Sequence, residues 1–206
     1  MIKIWGRENS VNVKKALWCS QELGLAYEHV NAGGSFGVVD TPEYRAMNPN
    51  GLVPCIQDDG FILWESNAIV RYLCAKYGAG TLFPADVQKQ AIASQWMDWT
   101  TSIFTPPYRD IMRNLIRLPA EQRNMSVVEE SARDGNHHLA ILDAALAKKP
   151  FLSGEAFGMG DIPMGCLVYG WLKMPIQHPQ LVHVDAWCNR LAQRPAYQDK
   201  VMLPLT

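Results

Sequence analysis

The strongest structural constraint in this chain is an Asp-Gly pair that lies between two short apolar runs and is followed directly by a helix pattern. Asp59-Gly60 separates Cys55-Ile56 from Phe61–Trp64. Asp-Gly flanked by apolar runs is the best short-range signal for a β-hairpin. From Glu65 onward, apolar residues recur at helical spacing until Gly78. This stretch therefore predicts a hairpin that leads into a helix.

The residues before the hairpin alternate between strand and helix patterns. Ile2–Trp5 predicts a strand, a helix follows from Val11 to Gly24, and residues 25–30 become a second strand. A strand, a helix and a strand within about thirty residues form a βαβ unit, so the two strands should be parallel with a right-handed crossover. Thr41-Pro42 then predicts a short helix, because a capping residue followed by proline is typical of a helix start.

The chain after the hairpin helix contains only helix patterns. A linker with glycine and proline covers Gly78–Asp86. The long helix that follows should break or kink at Thr105-Pro106-Pro107. Three later helices are predicted over residues 126–148, from Asp161, and over residues 181–191. The helix from Asp161 is apolar nearly all round, so it should be the buried centre. We therefore expect an α/β domain over residues 1–78 and an all-helical domain over residues 87–206.

Composition excludes several classes of protein. The 206 residues carry a net charge of −1, which gives no electrostatic argument for binding nucleic acid or an anionic membrane. No apolar run approaches the ~20 residues of a membrane span, and the start lacks the features of a signal peptide, so we expect a cytoplasmic protein. The five cysteines are scattered without Cys-x-x-Cys, and no metal-ligand spacing occurs, so we expect no metal.

Two dipeptides in the constrained stretch indicate a binding site. A cis Val53-Pro54 bond would leave the N–H and C=O of Val53 facing outward, where they could pair with an extended peptide. Glu65-Ser66 lies at a helix start, where free N–H groups and the helix dipole favour an anion. The Ser66 hydroxyl could donate to a carboxylate, and Glu65 could accept from an ammonium group. Alternatively, Pro54 only starts an edge strand and Ser66 only caps its helix.

The order and spacing of these dipeptides resemble the "VP … ES" signature of the glutathione transferase superfamily. The element order β-α-β-α-β-β-α also resembles a thioredoxin-like domain. The resemblance extends to Leu152-Ser153-Gly154, Gly160-Asp161-Ile162 and Arg194-Pro195-Ala196. One departure is Gly158, where the family usually has the Ser or Thr that caps the buried helix.

The resemblance implies the fold and the ligand. It implies a thioredoxin-like α/β domain followed by an all-α helical domain, with glutathione as co-substrate. In the family, the residue before the cis-proline pairs with the cysteinyl backbone of glutathione, and the acidic residue and the serine hold the γ-glutamyl end. By position these roles fall on Val53, Pro54, Glu65 and Ser66.

The thiol of glutathione needs a hydrogen-bond donor near the start of the first helix. A thiol with a pKa near ~8.5 is mostly protonated at neutral pH, and the thiolate is the nucleophile. Tyrosine is absent from residues 1–26, and Cys19 lies two turns into the helix. Ser10 and Asn12 resemble the donors of the Ser/Asn bacterial branch, which is theta- or nu-like. We expect Ser10 to be the principal donor, with Asn12 as co-donor or as the real one; alternatively, either residue only caps the helix.

The remaining contacts are less constrained by sequence. The loop from Gly33 to Asp40 has no cation for the glycyl carboxylate, so Arg45 and Asn50 are weak candidates. The second substrate should lie between the domains, against residues that follow the long helix's midpoint: Phe104, Tyr108, Arg109 and Met112. The resemblance implies a homodimer formed through the last helix of the first domain and the first helix of the second, which carry Asn67, Arg71, Gln95 and Asp98.

The sequence therefore predicts an enzyme that activates the glutathione thiol for attack on a small electrophile, and the resemblance implies a role in detoxification. Two alternatives remain open. One is a glutathione-dependent disulfide-bond reductase of the same fold. The other is a non-catalytic domain that only binds partners, although such a domain would not need both Ser10-Val11-Asn12 and Glu65-Ser66. A thioredoxin-type protein that uses its own thiols is disfavoured, because Cys-x-x-Cys is missing.

Overall fold

The structure is a computed structural model that describes all residues from Met1 to Thr206. Its strands are β1 (Ile2–Trp5), β2 (Tyr27–Val30), β3 (Cys55–Asp58) and β4 (Phe61–Trp64). Its first three helices are α1 (Val11–Glu22), α2 (Pro42–Met47) and α3 (Ser66–Tyr77). The helices that follow are α4 (Val87–Trp99), α5 (Thr105–Ile111), α6 (Met125–Leu146), α7 (Asp161–Leu172), α8 (Val182–Ala192) and α9 (Pro195–Lys200). The thioredoxin-like element order and the all-helical second part are both confirmed.

The four strands form one mixed sheet in the order β2-β1-β3-β4. β1 pairs with β2 in parallel and with β3 in an antiparallel register that sets Trp5 opposite Cys55. The predicted hairpin joins β3 to β4. Its turn residues Asp59 and Gly60 have φ angles of 48° and 89°, which suits a tight two-residue turn.

Alternation along the strands directs side chains to two different layers. Ile2, Ile4 and Ile56 are buried in the main core with α1 and α3. Cys55 faces the other way and forms a small cluster with Tyr44 of α2. The sheet therefore lies between helices on both faces. The loops of the candidate site begin at the end of the sheet where Trp5 and Cys55 are paired.

The sequence predicts that the long helix breaks or kinks at Thr105-Pro106-Pro107, and of these two outcomes the break is wrong. The chain stays helical from Val87 to Arg117, with π-helical turns over Thr100–Phe104 and Met112–Arg117. In the first of these turns the Thr105 N–H and hydroxyl both reach the Thr100 carbonyl, and the hydroxyl contact is 2.8 Å. The wider turn leaves room for two residues that have no N–H to donate.

α7 is the buried centre, as its composition predicts. Ten of its residues are buried, and it packs against both α1 and α4. The approach to α1 is so close that a Cβ on Gly165 would lie 2.9 Å from the Trp18 ring. Arg194 adds a second link between the two halves, because its guanidinium donates to both carboxylate oxygens of Glu22 at 2.8 and 2.6 Å. One continuous core of 38 residues therefore spans both halves of the chain.

The start of α7 is organised by the carboxylate of Asp161. It accepts hydrogen bonds from the Leu152 N–H at 2.8 Å, the Gly158 N–H at 3.2 Å and the Trp187 indole at 2.9 Å. Burial raises the pKa of this carboxyl, and these hydrogen bonds oppose the rise. The side chain thereby joins the preceding loop and α8 to the central helix.

The regular helix begins at Asp161, but Gly160 already has helical φ and ψ angles of −66° and −22°. Gly158 accepts from the Asp161 N–H at 3.0 Å and donates its own N–H to the Asp161 carboxylate at 3.2 Å, so the backbone of Gly158 serves as the cap that the sequence places there. The Gly160 N–H donates to the hydroxyl of Ser153 at 3.0 Å. A Cβ on Gly158 would lie 2.9 Å from both Cβ and Oγ of Ser153. Ser153 therefore occupies the space of a side chain at residue 158 and supplies a hydroxyl acceptor for this helix start.

No helix combines the length and apolar character that a membrane span would require.

Candidate functional site

Ser10 lies at the N-cap position of α1 with its hydroxyl free. Its backbone is extended, with φ −79° and ψ 121°, and its side chain makes no capping hydrogen bond. The residue is only 8% exposed. The capping explanation of Ser10 therefore has no support in the structure, and its hydroxyl remains available to a ligand at the start of the helix.

Val53 offers free main-chain groups beside this loop. The Val53-Pro54 peptide bond is cis, as the sequence predicts. Neither the N–H nor the C=O of Val53 has a hydrogen-bond partner in the chain. Because Trp5 pairs antiparallel with Cys55, the loop after β1 and the residues before β3 leave the sheet at the same end. Val53 and Ser10 are therefore on neighbouring loops.

The third part of the site is the start of α3. Glu65 adopts φ 72° and ψ 110°, a backbone conformation that is unfavourable for a residue with a side chain. Its carboxylate is exposed and makes no capping bond. Ser66 is buried, and the first N–H groups of the helix have no intrahelical acceptors. This helix start is therefore an open site for an anion.

A hydrogen bond joins the starts of α1 and α3. The Ser66 hydroxyl lies 3.4 Å from Oδ1 of Asn12. With Oδ1 accepting from Ser66, the amide NH₂ of Asn12 is left without a partner and can donate to a ligand. The structure thus brings Asn12 and Ser66 into contact, and Ser10 lies two residues before Asn12 at the start of α1.

Sequence reasoning missed Lys15, which lies behind this junction. Its side chain is 2% exposed, and its ammonium group lies 3.5 Å from the Ser66 hydroxyl. Burial lowers the pKa of Lys15 to about 8, while Cys166 and Glu65 act in the opposite direction. The signal available in the sequence was a pair of lysines, Lys14 and Lys15, inside the otherwise apolar face pattern of α1.

The two weak candidates for a glycyl carboxylate are occupied by neighbouring residues. Asn50 donates from its backbone and its side chain to Oδ1 of Asn48, both at 3.1 Å. Arg45 pairs with Asp40 at 2.6 Å and donates to the Pro49 carbonyl at 3.1 Å. Both side chains hold the loop before β3, and nothing in the structure directs them at a ligand.

Arg7 is the cation that sequence reasoning missed in this region. A Cβ on Gly33 would lie 3.3 Å from Nη1 of Arg7 and 3.3 Å from Cγ1 of Val53, so the guanidinium lies close to the Val53 side chain. Arg7 forms no ion pair or hydrogen bond through its side chain. Burial and the nearby Arg117 cation lower the pKa of its guanidinium.

A small cavity lies where a second substrate is expected, between the start of α1, α5 and α7. Its free volume is about 20 Å³. Tyr108 and Met112 line it, and the segment Pro204–Thr206 covers it. The Tyr108 hydroxyl has no partner in the chain, and burial raises the pKa of that phenol. This cavity is next to the loop that carries Ser10, because Asn9 and Val11 are also in its lining.

Two other residues predicted for this pocket lie elsewhere. Phe104 is 0% exposed and packs against Trp171 with ring centroids 5.2 Å apart, so it belongs to the core. Arg109 is exposed and its Nε lies 3.8 Å from the carboxylate of Asp110. The cations that do line the cavity are Lys14 and Arg117.

The chain is similar to known proteins over its whole length. It is 41% identical to "Glutathione S-transferase GstB" of Escherichia coli strain K12 over 208 residues, covering 100% of both chains. The chain belongs to the glutathione S-transferase family. The family's N-terminal domain matches residues 5–81. Among plant relatives, this transferase is 30% identical to "Glutathione S-transferase 4" of Zea mays, over 95% of this chain and 89% of the relative.

Solved structures agree with this assignment. A theta class glutathione S-transferase from Xanthomonas axonopodis pv. citri, crystallised with glutathione bound, is 51% identical and superposes with a TM-score of 0.96. The match covers 100% of this transferase and 99% of that chain. The apo form of the Xanthomonas protein superposes with a TM-score of 0.88 at 45% identity.

Four of the five cysteines of this transferase are buried, and Cys188 is partly buried. Cys19 and Cys74 are neighbours in space, with sulfur atoms 3.6 Å apart, a pairing that their spacing in sequence does not reveal. Both are fully buried, and the hydrogen bond to Cys74 together with burial raises the pKa of the Cys19 thiol well above its usual value. A buried thiol of this kind is a poor nucleophile at neutral pH.

Proposed function

We propose that this chain is a glutathione transferase that binds glutathione in an extended conformation beside Val53 and directs its thiolate at a small electrophile. The observation that carries the proposal is the convergence of three unsatisfied groups: the Ser10 hydroxyl, the main chain of Val53 and the start of α3 at Ser66. Each suits one part of the tripeptide, in the order thiol, cysteinyl backbone and γ-glutamyl carboxylate. The relatives named above support the same reading.

Thiol activation rests on Ser10, with Asn12 as a second donor. Lowering a thiol pKa by two units takes about 2.7 kcal/mol of preferential stabilisation of the thiolate. A hydroxyl hydrogen bond to the anion contributes about 1.5–3 kcal/mol, and the positive end of α1 adds about 0.3–1 kcal/mol. The required stabilisation lies within the combined range of these two contributions, and the free amide of Asn12 offers a second donor.

The two ends of glutathione complete the binding proposal. The γ-glutamyl carboxylate accepts from the first N–H groups of α3 and from the Ser66 hydroxyl, and Glu65 accepts from the α-ammonium group. Pro54 sets the direction of the chain after Val53. We assign the glycyl carboxylate to Arg7 rather than to Asn50 or Arg45, because the guanidinium of Arg7 is unpaired and lies close to Val53.

The electrophile is proposed to enter the cavity lined by Tyr108 and Met112. At about 20 Å³, the space admits roughly one water molecule, so the Pro204–Thr206 segment must move before a substrate can enter. The free Tyr108 hydroxyl is then placed to donate to charge that develops on the electrophile.

We also propose that the protein is a cytoplasmic homodimer. Side-chain contacts hold helices α3 and α4 together, because Asn67 donates to the Met97 carbonyl at 2.7 Å and Arg71 forms an ion pair with Asp98. A largely apolar groove of about 540 Å³ runs along these helices, and Val87 in its lining is 73% exposed. A second copy of the chain that packs on this groove would remove its apolar surface from water. Light scattering coupled to size-exclusion chromatography tests whether the protein is a dimer.

The function is tested by measuring glutathione binding and turnover together. Calorimetry with S-methylglutathione measures binding without a reactive thiol. Steady-state assays then compare an activated aryl chloride with a glutathione mixed disulfide. We expect binding, and turnover of the aryl chloride. Binding without turnover of either compound would indicate a binding domain, and turnover of the disulfide alone would indicate a reductase.

A further inference from the structure

Lys15 is a buried ammonium group without an anionic partner. It is 2% exposed, and its polar contact within the chain is the Ser66 hydroxyl at 3.5 Å, which is long for a hydrogen bond. No carboxylate oxygen lies within 4.0 Å of its ammonium nitrogen, so Lys15 has no ion-pair partner. Burying a charge in this way costs free energy that only a counter-charge or good hydrogen bonds can offset. The folded chain therefore supplies no anionic partner for this buried ammonium group.

The charged and titratable groups that face Lys15 come from three helices. Glu65, at the start of α3, is an exposed carboxylate beyond ion-pair distance, and Cys166 is a buried thiol on α7. Lys14 precedes Lys15 on α1, but its ammonium donates to the Val201 carbonyl at 3.1 Å. None of these groups neutralises Lys15, and burial lowers the pKa of its ammonium to about 8.

The position of Lys15 points to the missing partner. Its ammonium lies directly behind Ser66, whose hydroxyl and first-turn N–H groups form the anion site at the start of α3. Only the Ser66 hydroxyl would then separate a carboxylate bound there from the Lys15 ammonium. At an effective dielectric constant near ~20, opposite charges ~6 Å apart still attract strongly. The ligand would thus provide the counter-charge.

We propose that Lys15 is a positioning residue that acts through Ser66, as the buried counter-charge of the γ-glutamyl carboxylate of glutathione. This inference rests on the proposed function. Lys15 donates to Ser66, so that the Ser66 proton is directed outward, to Asn12 in the empty site and to the carboxylate in the occupied one. The free protein carries an unpaired charge that the ligand compensates. Glutathione binding is consequently linked to protonation of Lys15.

The linkage has a definite direction. Near pH 8 the ammonium is only partly protonated in the free protein. A bound carboxylate raises its pKa, so the complex takes up a proton, and affinity falls as pH rises beyond that point. In the absence of ligand, the unfolded chain holds its proton up to about pH 10.4. The contribution of Lys15 to stability therefore improves between about pH 8 and pH 10.4, because the unfolded state binds more protons there.

The test compares Lys15→Met, Lys15→Arg and a control, Lys3→Met, whose parent lysine forms an exposed ion pair with Glu28. S-methylglutathione is titrated by calorimetry from about pH 7 to about pH 10, in buffers of different ionisation enthalpy, to count protons taken up. Thermal melts are recorded without ligand. Met replaces a buried charge with an apolar chain of similar length, so folding should be retained.

We expect Lys15→Met to weaken S-methylglutathione binding at about pH 7 by about tenfold and to raise the melting temperature of the free protein. Lys15→Arg should retain affinity but lose the proton uptake seen near pH 8 in the parent, because a guanidinium does not titrate there. Lys3→Met should match the parent in both affinity and proton uptake.

A purely structural lysine would give the opposite pattern, with a lower melting temperature for Lys15→Met and unchanged affinity. Equal proton uptake in the parent and Lys15→Arg would also overturn the proposal. If the parent itself fails to bind S-methylglutathione, the proposed function fails first. Binding by the parent together with unchanged binding by Lys15→Met removes only the role of Lys15.

Discussion

The hydroxyl of Ser66 lies 3.4 Å from the side-chain oxygen of Asn12, although the two residues are 54 positions apart in the chain. This contact ties the proposed anion site at the start of α3 to the proposed thiol site at the start of α1. The single Ser66 proton is directed to Asn12 while the site is empty and to the carboxylate when glutathione is bound, so this hydroxyl links the two parts of the site. Changes at Ser66 should consequently affect both the γ-glutamyl end and the cysteinyl thiol of the bound tripeptide.

Ser66→Ala should weaken glutathione binding by about 1–3 kcal/mol, because a hydrogen bond to a charged carboxylate is lost. The measurement is calorimetry with S-methylglutathione. Ser102→Ala is a suitable control, since that exposed hydroxyl donates only to the Asp98 carbonyl within its own helix. Equal affinities for Ser66→Ala and the parent would remove Ser66 from the carboxylate site.

Ser10→Ala should raise the pKa of the bound glutathione thiol, because the free hydroxyl no longer stabilises the thiolate. Loss of a hydrogen bond to a charged group corresponds to about one to two pKa units. The thiolate absorbance of the complex, titrated against pH, measures the shift. If Ser10→Ala titrates like the parent while Asn12→Ala shifts, then Asn12 is the principal donor.

The sequence predicts the parts of this site that depend only on short local segments of the chain. The hairpin, the cis Val53-Pro54 bond and the start of α3 all follow from residues close together in the chain. Lys15 could not be assigned in this way. Its role depends on which face of α1 meets α3, and that is set by packing between elements rather than by a motif.

The errors in the sequence analysis have related physical causes. Pro106-Pro107 does not end its helix, because a π turn just before it removes the need for proline N–H groups. Phe104 falls in the core rather than in the pocket, because its buried ring packs against Trp171 of α7. The hydroxyl that accepts from the Gly160 N–H comes from Ser153, which lies across a loop and cannot be identified from the residues next to Asp161.

Asp58→Asn should destabilise the fold by about 1–2 kcal/mol at neutral pH. The buried Asp58 carboxylate accepts from the Tyr72 hydroxyl at 2.7 Å, the Lys76 ammonium at 2.7 Å and the Tyr77 hydroxyl at 2.8 Å. These contacts join β3 to α3, which carries the anion site. The Lys76 end is in solvent, so most of the loss should come from the tyrosine bonds.

The Asp58 carboxylate also makes the stability of the fold depend on pH in a definite direction. Burial alone would raise the pKa of Asp58, but the hydrogen bonds from Lys76, Tyr72 and Tyr77 outweigh it and hold the pKa below its usual 3.8. Its contribution to stability is therefore present above pH 3.8 and lost as the pH falls through the lowered pKa. Urea unfolding at several pH values should show the parent and Asp58→Asn converging in acid. Asp59→Asn, an exposed neighbour, is the control and should follow the parent.

Ser153→Ala and Gly158→Ser should each lower the stability of the protein, whereas the two changes together should cost less than the sum of the single losses. Ser153→Ala should cost about 1 kcal/mol, because the Gly160 N–H loses its acceptor. Gly158→Ser should also destabilise, by about 1–3 kcal/mol, since its Cβ would lie 2.9 Å from the Ser153 side chain. The double variant Ser153→Ala with Gly158→Ser removes the Ser153 hydroxyl and places a new one beside the same helix start. A double-mutant cycle by urea unfolding should show a favourable coupling, whereas additive losses would mean that the two sites are independent.

Removal of residues 203–206 should open the second-substrate cavity. Three of these residues line it, and the Asn9 side chain donates to the hydroxyl of Thr206 at its edge. Without the segment, kcat/KM for a bulky aryl electrophile should rise by about tenfold, because the larger pocket accepts groups that now collide with Leu205. Affinity for S-methylglutathione should stay unchanged, since none of the glutathione contacts proposed above involves this segment. Asn9→Ala, which releases only the Thr206 contact, should give a smaller rise. Unchanged kinetics in the shortened chain would mean that the electrophile reaches the thiolate by a path that avoids this cavity, and Tyr108 and Met112 would then have no part in its selection.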